Sequence, residues 1–403
     1  MTDWIAGGGV TSPKGFRAAG TYAGIKTYGA EPRLDVGLLV SSLPASAAGV
    51  FTKNAICGAP VELCRERIRE GRARAVVVNS GCSNVAMGDR GRRDARTMAE
   101  LAAAHADVPP TEMLVSSTGV IGRPLPMDRI AAGIAALDLQ EHGGPAFSRA
   151  IMTTDSVSKE RALAVNVAGV TCRIGGTAKG SGMMHPNMAT VLCYLTTDAA
   201  ADPAWLQTAL REVADVSLNM CDVDMDTSTS DTMLLFANGA SGSQRLGAGH
   251  PDEAAFKNAL RQLAIELGKD LVRDGEGATR LIEVQVTGAA SLADARIAAR
   301  TVSSSPLVKT MVAGCDPNLG RLMMAVGRSG AAVDVDRTSI SIGDFCAFER
   351  GEPSNVSYAG IAAAMNRPEL VLRLDLGIGS HSAVAWGCDM TEEYVRANAR
   401  YTT

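Results

Sequence analysis

One stretch of the sequence carries residues that could cut the chain and then use the new chain end for chemistry. Between Gly175 and Ala199, a glycine-spaced loop leads through His185 and Pro186 into an apolar run that starts with Thr190. Pro186 keeps His185 out of the α region and so fixes how the chain approaches this run. A threonine hydroxyl is a weak nucleophile without an adjacent base, but an N-terminal threonine can use its own α-amine, of pKa about 7.7–8.0.

An N-terminal threonine here requires a cut between Ala189 and Thr190. The hydroxyl of Thr190 would attack the carbonyl of Ala189, the acyl group would move from nitrogen to oxygen, and water would hydrolyse the ester. The small side chain of Ala189 leaves room for this attack. Taken by itself, however, a threonine at the start of a strand is more often a β-branched residue in its preferred place than a nucleophile.

Helices and strands must position this segment, and the sequence interleaves both. Apolar residues recur three and four positions apart, as in one-sided helices, over 92–106, 205–218 and 253–267. Short β-branched or alternating segments bounded by Gly, Asn or Asp indicate strands over 73–78, 163–174, 191–196, 232–236, 282–286, 370–374 and 382–386. The pattern predicts a mixed α/β protein whose helices cover sheet faces.

Composition narrows the class of protein. A chain of 403 residues with 46% apolar and 20% charged residues is typical of a globular protein of two or three units. The net charge of −4, with lysines and arginines scattered, disfavours nucleic acid as a partner. Neither a run of about 18 apolar residues nor the layout of a signal peptide is present, so we expect no membrane contact and a cytoplasmic location.

Metal and nucleotide sites are not expected. The nine cysteines form no CxxC pair and the five histidines are dispersed, which favours reduced, buried thiols. The segment 222–231 begins like a calcium loop, but Thr227 stands where glycine is needed and Met233 where glutamate is needed. The loop around Lys179 lacks the Ser or Thr that a phosphate loop places after its lysine. We therefore expect no cofactor.

The segment from Lys179 to Leu192 resembles the KGSGMxxPNMATML signature of the ornithine acetyltransferase (glutamate N-acetyltransferase) family, the bifunctional type of arginine biosynthesis protein. Further blocks that are similar to those of the family extend along nearly the whole chain. They are GGVTSPKGFRAAGTYAGIK from Gly8, FTKNAICGAPV from Phe51, SSTGVIGRPLP from Ser116, MTTD from Met152, DTSTSDT from Asp226, DGEGAT from Asp274, SPLVKTMVAGCDPNLGR from Ser305 and AWGCDMTEEYVRANARYTT from Ala385.

The resemblance implies roles for the residues that match these motifs. Thr190 would be the nucleophile and the first residue of a β chain, residues 190–403, while Ala189 would end an α chain, residues 1–189. Thr118 and Gly119 would form the oxyanion hole, which suits a hydroxyl and a backbone N–H aimed at one developing charge.

Family positions that bind substrate fall mainly on polar residues spread over the chain. They are Thr153 or Thr154, Lys179, Thr190, Glu276, Asn398 and Thr403. The cation of Lys179 suits a carboxylate, and the carboxylate of Glu276 suits an amine. Chain ends are usually frayed, so a C-terminal tail that binds substrate would have to dock into the site.

The fold implied by the resemblance is a layered α-β-β-α sandwich of mixed sheets and helices, related to N-terminal nucleophile architectures. Both chains would share one body and assemble as a heterotetramer of two α and two β chains. The implied reaction is ping-pong: Thr190 takes an acetyl group from N-acetylornithine and passes it to glutamate. Acetyl-CoA would serve as a donor only in a bifunctional member.

Several positions depart from the family pattern. Cys82 replaces an asparagine, Ser158 a proline, Leu319 a tryptophan and Arg280 a lysine, and the losses of amide and aromatic groups could reshape the pocket wall. Three alternatives therefore stay open: a paralogue with another acyl donor or amino acceptor, an N-terminal nucleophile hydrolase or aminopeptidase, and a non-enzymatic binding protein whose glycine loops shape a ligand pocket.

Overall fold

The structure, a computed structural model, describes residues 3–26, 33–185 and 191–400. The predicted cleavage site at Ala189 and Thr190, and the predicted substrate position Thr403, lie outside the described residues. The other predicted site residues lie inside them.

Three sheets are formed by the strands of the described part. The strands are β1 (Asp3–Trp4), β2 (Phe16–Thr21), β3 (Val36–Ser41), β4 (Ser46–Phe51), β5 (Ala75–Cys82), β6 (Met113–Val120), β7 (Lys159–Val167), β8 (Val170–Lys179), β9 (Leu192–Thr197), β10 (Cys221–Asp222), β11 (Thr232–Ala237), β12 (Leu281–Ala289), β13 (Ser339–Ile342), β14 (Phe345–Glu349), β15 (Glu352–Pro353), β16 (Glu369–Asp375) and β17 (His381–Cys388). The strand orders are β2-β3-β5-β6, β1-β7-β8-β9-β11-β4 and β10-β17-β12-β16-β13-β14-β15.

Helices cover these sheets. They are α1 (Ala59–Arg67), α2 (Gly88–Ala106), α3 (Met127–Ala135), α4 (Gly144–Ile151), α5 (Pro203–Val216), α6 (Glu253–Arg273), α7 (Leu292–Ser303), α8 (Pro306–Ala313), α9 (Leu319–Gly327), α10 (Tyr358–Met365) and α11 (Glu392–Arg400). Asp202 caps the start of α5, because its side chain accepts a hydrogen bond from the backbone N–H of Trp205.

The six-stranded sheet is buried on both faces. Successive side chains of a strand point to opposite faces, so Tyr194 of β9 packs into one core while Cys193 packs into another. The first core joins this sheet to the four-stranded sheet and to Met98 of α2 and Ile130 of α3. The second core joins it to Leu263 of α6 and to residues of α5. The layered α/β class expected from the sequence is confirmed.

The seven-stranded sheet continues the second core. Helix α7 packs on β12 and β17. Helix α6 reaches the same sheet through Lys269, whose Nζ lies 3.2 Å from Oε2 of Glu283 and 5.7 Å from the ring centroid of Trp386. This helix therefore links two sheets.

The three predicted helices are confirmed: α2 and α6 extend beyond the predicted bounds, while α5 starts two residues earlier and ends two residues earlier than predicted. One predicted strand is wrong. The segment 163–174 is not one strand but parts of β7 and β8, which form an antiparallel hairpin. Its two turn residues, Ala168 and Gly169, have φ of 51° and 82°, and positive φ at both central positions is typical of a type I′ turn. The apolar residues on both sides of the turn concealed it in the sequence.

Candidate active site

Three strands of the six-stranded sheet meet at one edge. β8 ends at Lys179, which pairs with Leu192 at the start of β9, and Leu192 pairs with Thr232 at the start of β11. β8 is antiparallel to β9, and β11 is parallel to it. The residues that follow β8 and those that precede β9 and β11 are therefore brought to the same edge.

The four-stranded sheet contributes the ends of β5 and β6. Gly81 and Gly119 are directly paired and have φ of +109° and +122°. A Cβ at Gly119 would lie 2.4 Å from the carbonyl carbon of Gly81, which is closer than real Cβ atoms approach. Only glycine fits at Gly119, so its backbone N–H and the adjacent Thr118 hold their positions through main-chain packing.

A single pocket lies between these two edges. Its walls include every predicted site residue within the described ranges, together with Val191, which directly follows Thr190. These predicted residues are Thr118, Gly119, Thr153, Thr154, Lys179, Glu276 and Asn398. Residues that are more than 200 positions apart in sequence thus meet in one place.

The ammonium of Lys179 is buried but incompletely compensated. Its Nζ donates to Oγ1 of Thr153 at 2.7 Å and lies 4.0 Å from Oδ2 of Asp155. Asp155 is shared with Lys159, whose Nζ is closer, at 2.7 Å from Oδ1. Burial lowers the pKa of Lys179, and the attraction of Asp155 only partly offsets this. An anionic group in the pocket would therefore stabilise the charged form of Lys179.

Asp155 organises this side of the pocket. Its carboxylate accepts hydrogen bonds from the backbone N–H of Thr153 at 3.0 Å and of Gly180 at 2.7 Å. Burial alone would raise the pKa of Asp155, but the nearby ammonium groups of Lys179 and Lys159 outweigh it and hold that pKa below its usual range. The ionised carboxylate of Asp155 thus links the MTTD motif, to which it belongs, to the loop that follows Lys179.

The two threonines of that motif have different partners. Thr153 is buried and accepts from Lys179, whereas the hydroxyl of Thr154 lies 2.6 Å from that of Ser181. Both line the pocket. Thr153 therefore faces the cation, and Thr154 faces the loop that leads to His185.

The C-terminal helix docks at the mouth of the pocket. Nδ2 of Asn398 donates to Oε2 of Glu276 at 2.8 Å, and the backbone N–H of Glu276 donates to the carbonyl of Ser181 at the same distance. A Cβ at Gly182 would lie 2.5 Å from the carboxyl carbon of Glu276. Glycine at 182 therefore lets Glu276 approach the loop that follows Lys179, and the hydrogen bond from Asn398 holds α11 against Glu276.

Asp231 also lines the pocket, and the sequence did not single it out. It directly precedes β11, only 2% of its surface is exposed, and no hydrogen-bond partner of Oδ2 is found among the described residues. Burial raises the pKa of Asp231 well above its usual value, although Lys179 and Ser228 oppose this. In the sequence, this loop carries the family-like block DTSTSDT and was rejected as a calcium motif, but Asp231 itself was given no role. Within the described ranges, no group of side chains forms a metal site.

Of the residues that depart from the family pattern, Cys82, Ser158, Arg280 and Leu319 do not line this pocket as the described residues define it, although Ser83, which directly follows Cys82, does. Cys82 is buried at the end of β5, and Leu319 begins α9 and packs against the second core. Ser158 is exposed, and Arg280 lies 3.5 Å from Asp389. In the described part of the chain, none of the helices is long and apolar enough to cross a membrane.

Comparison with known proteins gives a consistent result along the whole chain. The model of the ArgJ family matches residues 17–403. The arginine biosynthesis bifunctional protein ArgJ of Symbiobacterium thermophilum is 50% identical over 403 residues, which is 100% of both chains. The protein of the same name from Dehalococcoides mccartyi is 44% identical over 401 residues, covering 100% of this chain and 99% of that one.

Among solved structures, one described as arginine biosynthesis bifunctional protein ArgJ from Bacillus halodurans is 40% identical, with a TM-score of 0.50. The match covers 51% of this chain and 97% of the solved chain. The solved chain therefore has about half the length of this one.

Proposed function

The chain belongs to the ArgJ family, and from this membership we propose that it cuts itself between Ala189 and Thr190 and carries an acetyl group on Thr190. It is an acetyltransferase of arginine biosynthesis. The proposed donor is N-acetylornithine and the proposed acceptor is glutamate, in the cytoplasm. The observation that carries this proposal is the meeting of all described candidate residues in one pocket beside Val191.

Self-cleavage begins with attack of the Thr190 hydroxyl on the carbonyl carbon of Ala189. Thr118 and the backbone N–H of Gly119 stabilise the oxyanion that develops. Breaking the C–N bond leaves Ala189 on the threonine oxygen as an ester, and water hydrolyses it to a carboxylate on Ala189 and a free amine on Thr190. The half-length solved relative supports this step, because a processed precursor yields chains of about that length.

Acetyl transfer then uses the same groups twice. The α-amine of Thr190 takes the hydroxyl proton while the oxygen attacks the acetyl carbon, and ornithine leaves with that proton. The α-amine of glutamate next attacks acetyl-Thr190 and releases N-acetylglutamate, and the proton returns to the threonine oxygen. The same oxyanion hole serves both tetrahedral intermediates.

Charges at the pocket suit these substrates. Lys179 with Thr153 would bind the substrate's α-carboxylate, because this buried ammonium gains stability from an anion. Glu276, oriented by Asn398, would bind the side-chain ammonium of ornithine. Thr154 would support the loop through Ser181, and Thr403 would add a second contact from the tail.

The two halves would stay together after cleavage. β7 and β8 belong to the proposed α chain, 1–189, while β9 and β11 belong to the proposed β chain, 190–403, and all four lie in one sheet. Separating the halves would expose both cores, so we propose that they remain one body, two of which form a heterotetramer. Because the curated relatives are named bifunctional, we also propose acetyl-CoA as a second acetyl donor to glutamate.

The position of the sequence departures favours these substrates over those of a paralogue. Cys82, Ser158, Arg280 and Leu319 are not among the residues that line the described pocket, whereas the candidate substrate-binding residues that match the family are. The hydrolase alternative differs only in the fate of the acetyl group, and the experiment below distinguishes it.

The test is the mass of the purified, denatured protein before and after brief exposure to N-acetylornithine. We expect two fragments that divide at Ala189, with the C-terminal fragment gaining one acetyl group. Thr190→Ala should remain one uncleaved chain and serves as the control. Cleavage with release of free acetate would indicate a hydrolase, and an uncleaved wild-type chain would contradict the proposal.

A further inference from the structure

The segment Met183–His185, which precedes the proposed cleavage site, is held by one short loop. This loop, Asp222–Thr227, is called the clamp below. The backbone N–H groups of Met183 and Met184 donate to the two carboxylate oxygens of Asp224, at 2.6 and 2.8 Å. The carbonyl of Met184 accepts from the backbone N–H of Val223 at 2.7 Å. The clamp thus forms hydrogen bonds with both N–H groups and a carbonyl group of the segment's main chain.

His185 extends these contacts to side chains. Its Nδ1 lies 2.7 Å from Oδ1 of Asp222, and its Nε2 lies 3.1 Å from Nη2 of Arg300. A carboxylate only accepts hydrogen bonds and a guanidinium only donates them, so Nδ1 suits the role of donor to Asp222 and Nε2 that of acceptor from Arg300. The carbonyl of His185 also accepts from the hydroxyl of Thr227 at 2.9 Å. The ring and the main chain of His185 are therefore both fixed.

Asp222 is itself anchored. Nζ of Lys309, which is fully buried, lies 3.0 Å from Oδ2 of Asp222 and donates to the carbonyl of Cys388 at 3.0 Å. Burial would raise the pKa of Asp222, but Lys309 and His185 outweigh it and hold that pKa below its usual range. His185 is thus tied through an ionised carboxylate to the interior of the protein.

The backbone at this place is held in a conformation that side-chain-bearing residues rarely adopt. Met183 in the segment and Met225 in the clamp have φ of 50° and 68°. Such residues persist only where the surrounding structure holds them, and they concentrate at functional sites. Here the two hydrogen bonds to Asp224 hold Met183. The conformation indicates that the path of the chain before the proposed cleavage site is imposed by the clamp.

We propose that the clamp directs self-cleavage, with His185, Asp222 and Asp224 as positioning residues, and that it holds the new end of the α chain after the cut. This inference rests on the proposed function. His185 lies four residues before Ala189, in the proposed α chain, whereas the clamp, Arg300 and Lys309 lie in the proposed β chain. Attack on a peptide carbonyl depends steeply on geometry, and a displacement of about 1 Å can cost 10²-fold in rate.

The test follows cleavage by mass during cell-free synthesis of the full chain. We expect His185→Ala and Asp224→Ala to slow cleavage about 10- to 100-fold, and His185→Asn, which keeps a donor near Asp222, to recover most of the rate. Thr227→Val removes one hydroxyl at nearly constant volume and should slow cleavage a few-fold. His142→Ala, at an exposed histidine outside the clamp, is the matched control.

Two further measurements separate positioning from general stability. The melting temperatures of the Thr190→Ala chain with and without His185→Ala should agree within about 3 °C, since a role in stability alone would lower the melting temperature together with the rate. When cleaved wild-type protein is treated with carboxypeptidase, removal of residues from the new C-terminus of the α chain should stop before it reaches residue 185. In cleaved Asp224→Ala, removal should continue past residue 185.

Equal cleavage rates for wild type, His185→Ala and Thr227→Val would overturn the inference while leaving the proposed function intact. A wild-type chain that never cleaves would overturn both. Digestion past residue 185 in the cleaved wild type would overturn the part of the inference that concerns the α-chain end.

Discussion

The two sheets that border the pocket contribute to it in different ways. The end of the four-stranded sheet supplies main chain: Thr118 and Gly119 are placed by the close pairing of Gly119 with Gly81. The edge of the six-stranded sheet supplies charge: Lys179 and Asp231 are buried there with incomplete compensation. The close approach of two main chains therefore sets the geometry of the first region, and the balance of buried charges sets that of the second. Substitutions should accordingly fail for different reasons in the two regions.

The largest effect is expected at the glycine pair. Gly119→Ala would put a Cβ 2.4 Å from the Gly81 carbonyl carbon at a φ of +122°, so the strand ends must separate and the proposed oxyanion donor must move. Losing such a donor costs about 10²–10³-fold in rate, and we expect both self-cleavage and acetyl transfer to fall by at least this factor. Mass during synthesis measures the first, and N-acetylglutamate formation measures the second.

Gly122→Ala is the matched control for this prediction. Gly122 also has a positive φ, +75°, but no atom lies within 4 Å of its Cβ position. It should therefore show the conformational cost of alanine without the displacement of the strand ends. If Gly119→Ala cleaves and transfers as fast as Gly122→Ala, main-chain packing does not set the geometry of this region.

At the charged edge, Lys179→Met should act on substrate binding. Asp155 keeps Lys159 at 2.7 Å in this variant, so the carboxylate stays paired and the fold should persist. We expect kcat/KM for N-acetylornithine to fall by about 10²-fold, mostly through KM, because the lost contact binds substrate and transition state alike. Steady-state kinetics on cleaved protein measures both constants.

Lys159→Met provides the contrast within the same region. Lys159 lies 2.7 Å from Asp155 and 2.5 Å from Asp274, with 1% of its side chain exposed. Removing it leaves buried carboxylates without their main partner, which costs about 3–5 kcal/mol of stability. Thus Lys159→Met should lower the melting temperature, while Lys179→Met should lower kcat/KM. The opposite assignment would show that Lys179 is the structural cation.

The sequence predicted the glycine-built region better than the charged one. Thr118 and Gly119 lie in one local motif, so a short segment was enough to name them as candidates. In the charged region, a motif named Lys179 but not the pairings that surround it. Asp155 acts through Lys159 and Gly180, and Lys159 reaches Asp274, which is 115 residues away. Such pairings depend on how strands are ordered in a sheet, which short segments do not reveal.

Two other features show the same limit. Asp231 lies in the family-like block DTSTSDT, which gave it no role, and its burial depends on the pairing of β9 with β11. The hairpin turn at Ala168 was missed because apolar residues flank it on both sides. The fold class was predictable from periodicity and resemblance, whereas these features required the spatial arrangement.

The smallest effect is expected for a charge of the six-stranded sheet that lies away from the pocket. Glu160 of β7 is packed against Gly9, and burial raises its pKa to about 7 although Arg149 opposes this. Because the pKa in the folded state exceeds the unfolded value of about 4.3, the folded protein binds this proton more tightly. The stability that the protonated carboxyl contributes is complete below about pH 4.3 and is lost as the pH rises through 7.

Glu160→Gln keeps the size of the side chain but cannot ionise. Its melting temperature should match that of the wild type near pH 4.5 and exceed it by about 2 °C at pH 8, with acetyl transfer unchanged because Glu160 does not line the pocket. Glu141→Gln, at an exposed position, should show no such pH dependence. An equal difference at both pH values would mean that packing rather than ionisation separates Gln from Glu. A loss of transfer activity would mean that the charged region of this sheet extends beyond the pocket edge.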